Sequence, residues 1–63
     1  MNIYERHQKE LQECINNWDT ECAHIHADDV LKEIALDAAM GKLPISEVVT
    51  LLAMYDEVDK WYA

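Results

Sequence analysis

The stretch Met40-Gly41-Lys42-Leu43-Pro44-Ile45-Ser46-Glu47 decides the fold, because it holds the one glycine and the one proline of a 63-residue chain. Gly41 suits the left-handed position just past a helix end, and Pro44 suits the first turn of the next helix. A loop is expected at 41–44, with helix on both sides. Elsewhere Gly and Pro are missing and Glu, Leu, Ala and Met are plentiful, a composition that favours helix.

Working back from the loop, Ala23, Ala27, Leu31, Ile34 and Ala38 fall at i, i+4, i+8, i+11 and i+15, with Val30 beside them. This is the apolar stripe of one helix. Further back, Asn2 and Glu5 have the spacing of a capping box, and Leu11, Cys14, Ile15 and Trp18 recur at helical intervals. Cys22 and Ile25 continue that stripe, so one unbroken helix is conceivable. Asn16-Asn17-Trp18-Asp19-Thr20 is nevertheless rich in capping residues, and Asp19 or Thr20 can open a new helix. A break at Asp28-Asp29 is a third option. Forward from the loop, Val48, Leu52, Tyr55 and Val58 or Asp59 lie at helical spacing, and Val49, Leu51 and Met54 widen the apolar arc. The favoured reading is one all-α domain over 1–63, with helices at 3–17, 20–40 and 45–61, or two helices if the first pair is continuous.

The size is marginal for a lone monomer. Surface scaling has roughly 6,400 Å² buried on folding. With about 57% of that apolar, at about 25 cal/mol per Å², the gain is about 90 kcal/mol. Ordering the chain at about 1.5 kcal/mol per residue costs about 95 kcal/mol. The near-cancellation implies a bundle completed by a second subunit, in a homodimer. Its five aromatics are all Trp or Tyr, the residue types that anchor interfaces. Trp18, Leu52, Tyr55, Trp61 and Tyr62 are the expected interface residues. The plainer alternative is that the aromatics fill a small core.

Thirteen acidic against five basic residues give a net charge of −8. Arg6, Lys9, Lys32, Lys42 and Lys60 are scattered among acids, so neither direct nucleic-acid binding nor attachment to an anionic membrane is expected. No apolar run approaches the roughly 20 residues of a membrane span. The opening residues lack the basic and apolar regions of a secretion signal, and there are two cysteines, Cys14 and Cys22. A cytoplasmic chain with reduced thiols is expected.

Three groupings bear on chemistry. Cys22-Ala23-His24-Ile25-His26 puts Cys22 and His26 one helical turn apart, a spacing that can grip a metal. A structural zinc site wants four ligands, however, and this pattern matches no standard finger. Cys22, His24 and His26 are therefore weak metal candidates beside an expectation of no metal and no cofactor. A cysteine nucleophile is disfavoured because Glu21, Asp28 and Asp29 would raise the thiol's pKa. The carboxylates Glu10, Glu13, Glu21, Asp28, Asp29, Glu33 and Asp37 form either an ordinary solvated surface or a negative stripe that mimics nucleic-acid phosphates. No catalytic set is expected.

With its opening Asn2-Ile3-Tyr4-Glu5-Arg6-His7 and ending Asp59-Lys60-Trp61-Tyr62-Ala63, its size, its helical pattern and its acidity, the chain resembles the small accessory proteins of lambda-type temperate bacteriophages, from the exonuclease–excisionase region. The resemblance spans the whole chain without a signature motif. It implies a non-enzymatic regulatory protein in the host cytoplasm and transfers no site residues. The resulting expectation is a homodimeric interaction module that binds a host or phage protein. The alternative is an acidic mimic that inhibits a nucleic-acid-binding protein.

Overall fold

Asn2 opens the first helix. Its Oδ1 accepts a hydrogen bond from the Glu5 backbone N–H at 2.8 Å, satisfying a donor that has no partner within the helix. In the computed structural model, which describes residues 2–59, three helices follow: α1 (Ile3–Asn16), α2 (Glu21–Ala39) and α3 (Ile45–Asp59). Among the described residues there is no strand. Each helix packs against both others, and the short connections make sequence neighbours antiparallel.

The first connection is a break, as the capping residues implied. Asn17 ends α1, with its side-chain amide donating to the Glu13 carbonyl at 2.8 Å. Thr20 then caps α2, its Oγ1 accepting from the Ala23 N–H at 3.2 Å. Helix α2 runs uninterrupted through Asp28-Asp29. The second connection is a Schellman cap. The Lys42 N–H donates to the Asp37 carbonyl at 2.8 Å and the Gly41 N–H to Ala38 at 3.1 Å, with Gly41 at φ 76°. Pro44 stands one residue ahead of α3, and its carbonyl accepts the N–H groups of Glu47 and Val48. Helices α1 and α2 each end one residue short of the expected bounds. Residues 60 and 61 of the expected third helix lie outside the described residues.

The core comprises Leu11 and Cys14 from α1, Ala23, Ala27, Val30 and Ile34 from α2, Leu43 from the loop, and Leu51 and Val58 from α3. The alanines of α2 let its neighbours approach closely. Two residues that share helical spacing with core positions in the sequence, Trp18 and Leu52, lie off the core. Trp18 falls in the turn after α1, where helical periodicity no longer holds, and is 53% exposed. On α3 the core line is Leu51 and Val58, with Val48, Met54 and Tyr55 on its flanks, so Leu52 turns outward. The helix is apolar over most of its circumference, and having two partners to meet centres it between the candidate stripes.

The accessible surface is 4184 Å². Size scaling gives about 4,200 Å² for a folded monomer of this mass. The core closes within one chain, yet Trp18, Ile25, Leu36, Met40, Ile45, Val49 and Leu52 all remain exposed.

Candidate functional site

Two regions stand out, one polar and one apolar. The polar one is the seam between α1 and α2. His7 and Glu10 sit at i and i+3 on α1 and so share a face. On α2, His26, Glu33 and Asp37 are spaced i, i+7 and i+11, one stripe of the helix. His7 is wholly buried, and its Nε2 lies 2.7 Å from Oδ2 of Asp37. A carboxylate can only accept, so Nε2–H is the donor and Asp37 sets the ring's orientation. The other ring nitrogen, Nδ1, is buried without a hydrogen-bond partner, and so is Oε1 of Glu10, 3.6 Å away. Oε2 of Glu10 lies 3.8 Å from Nε2 of half-exposed His26, and Arg6 Nε lies 3.8 Å from Oε1. His7, Glu10 and Glu33 each offer a ligand atom within 4.8 Å of the other two. Among the described residues no other three His, Cys, Asp or Glu side chains converge so closely.

The suggested metal candidates are dispersed. Cys22 is exposed, His26 faces Glu10, and His24 is buried with Nε2–H donating to the Trp18 carbonyl at 2.7 Å. A groove of about 420 Å³ between the end of α1 and the start of α2 is lined by Cys14, Asn17, Thr20, Cys22 and His26 among others. Burial pushes the Cys14 thiol up, and the charges of Glu13 and Glu10 add to the effect. A thiol shifted that way is a poor nucleophile.

The apolar region lies on α3. Ile45, Val49 and Leu52 follow i, i+4, i+7 spacing and form one outward stripe of α3. Leu36 and Met40, one turn apart, project outward from the last turns of α2, at the hairpin end where α3 begins. Ile45 is 78% exposed and Val49 60%. Of the expected interface residues, Leu52 belongs to this stripe at 39% exposure, and Trp18 lies at the opposite end of the molecule. Tyr55 is half-buried, with its hydroxyl donating to Oδ1 of Asp28 at 2.6 Å. Trp61 and Tyr62 lie outside the described residues. The sequence reading missed Ile45, Leu36 and Met40. The signal for Ile45 was its i, i+4, i+7 register with Val49 and Leu52.

Of the seven carboxylates in the expected negative stripe, Glu10 and Asp37 meet His7, and Asp28 accepts from Tyr55. No helix of the described residues is long and apolar enough to cross a membrane. No protein-family model matches the chain, and no curated protein or solved structure matches it either. The likeness to small phage proteins thus rests on the sequence features alone.

Proposed function

We propose that this chain is a small non-enzymatic regulatory module that works by protein–protein contact, first with a second copy of itself. The observation that carries the reading is the outward stripe Ile45–Val49–Leu52 of α3. Single exposed apolar residues are ordinary, but several grouped on one face mark an interaction surface. Covering such a side chain contributes on the order of 1 kcal/mol or more, a large share of the stability of a domain this small. A two-fold dimer buries the same face on both chains and needs no second complementary patch. The alternative, mimicry of nucleic-acid charge, draws on fewer outward carboxylates than the sequence offered, because Glu10 and Asp37 turn toward His7 in the α1–α2 seam.

Light scattering coupled to size exclusion tests this. A particle of twice the 7.3 kDa chain mass is the expected result. A single-chain particle at the highest attainable concentration would remove the self-association on which the reading rests.

A further inference from the structure

We propose that His7, Glu10 and Glu33 form a binding site for one divalent transition-metal ion of the zinc class, with Asp37 holding the histidine in position. Asp37 can only accept, so His7 donates from Nε2, and an imidazole with its one hydrogen there presents its lone pair at Nδ1. That lone pair is fully buried and meets no donor. Oε1 of Glu10, 3.6 Å away, is likewise an acceptor buried without a hydrogen bond. Two acceptors facing each other in an interior are costly unless something positive lies between them.

The spacing favours an ion over a proton. A charge-assisted N–H···O bond spans about 2.7–2.9 Å, well short of the observed gap. Two ligands held about 2.0–2.1 Å from a tetrahedral zinc are about 3.4 Å apart. The Glu33 carboxylate, on the facing helix, lies within 4.8 Å of both other ligand atoms and supplies the third. An imidazole ligand whose second ring nitrogen donates to a carboxylate is the arrangement that fixes ring orientation and raises basicity at metal centres. The Schellman cap anchors Asp37 in turn, since the Asp37 carbonyl accepts the Lys42 N–H. One imidazole with two carboxylates suits zinc-class ions, whereas magnesium and calcium prefer all-oxygen sets. His26, half-exposed and 3.8 Å from the second Glu10 oxygen, sits at the rim, where water or its own Nε2 completes the fourth position. An ion here would tie α1 to α2 and stabilise a fold of marginal size. This inference stands on the α1–α2 seam and is independent of the dimer reading.

The test is a titration of the chelator-stripped full-length protein with zinc chloride, followed by calorimetry and thermal melting, with magnesium chloride as the comparison. One zinc per chain, a raised Tm, and no effect of magnesium are expected. Glu33→Gln, at an exposed position that leaves the core intact, should weaken zinc at least 10-fold. Asp37→Asn should weaken it by about 10- to 100-fold. Asp29→Asn, exposed on the same helix, and Cys22→Ser should change nothing. Because His7 is buried and its substitution can unfold the chain, its role is read in the unsubstituted protein. Nitrogen-15 NMR should show Nδ1 of His7 shifting on zinc addition while Nε2 keeps its proton. The proposal is overturned if zinc does not bind stoichiometrically at micromolar concentration. It is equally overturned if Glu33→Gln binds zinc as well as the unsubstituted protein, if Cys22→Ser abolishes binding, or if Nδ1 does not respond.

Discussion

His24 closes the turn between α1 and α2 by donating from Nε2 to the Trp18 carbonyl, and the ring itself is buried. Replacing it with Ala removes the donor and opens space, so His24→Ala should cost about 1–3 kcal/mol in urea denaturation. The two thiols should differ sharply. Cys22 is exposed and Cys14 buried, with the Cys14 thiol pushed up by burial and by Glu13 and Glu10. Alkylation near neutral pH should modify Cys22 and spare Cys14 until the chain is unfolded, as mass spectrometry of the labelled peptides would show. The linkage has a definite sign. Cys14 ionises more readily in the unfolded chain, so the stability it contributes is full below the ordinary thiol range and is lost as pH rises from that range through the raised pKa of the folded chain. Urea midpoints measured across mildly alkaline pH should fall, and Cys14→Ala should flatten the decline. At this scale the sequence was partly legible. The Leu11–Cys14 spacing, extended back four residues, lands on His7, but the pairing with Asp37 depends on how two helices meet and leaves no local signal.

The helices are set by their ends. Thr20 decides that α1 and α2 are separate, and Thr20→Ala should cost about 1 kcal/mol through the lost bond to the Ala23 N–H. Gly41 has φ 76° and open space around a would-be Cβ, so only backbone strain opposes a side chain. Gly41→Ala should destabilise by about 1–2 kcal/mol, measurable as a lowered Tm without loss of helical circular dichroism. Both ends were readable beforehand, because Thr20 and Gly41 are residue types with specific capping chemistry. The stripe of α2 was readable too, since its small and branched residues are interrupted by charges. Helix α3 was not. Val48, Val49, Leu51, Leu52 and Met54 offer several apolar faces, and only contact with α1 and α2 selects Leu51 and Val58 for the interior. That selection is what leaves Ile45, Val49 and Leu52 outside.

On the scale of the whole molecule, the described residues enclose a core of nine hydrophobic side chains while leaving the Ile45–Val49–Leu52 stripe of α3 exposed. The marginal balance of burial and entropy supports the proposed second copy, and the place it would be met is this stripe. Trp18 and Tyr55 do not carry it. The first sits at the far end of the bundle and the second is engaged with Asp28. The measurement that bears most directly on this account is the concentration dependence of sedimentation for the unsubstituted chain and for Val49→Glu. Val49 is outward, so the substitution leaves the core untouched and places a charge in the middle of the stripe. The account predicts a dimer that dissociates on dilution for the first and a monomer of unchanged helicity for the second. Identical sedimentation of the two proteins, whether as monomers or as dimers, would contradict it.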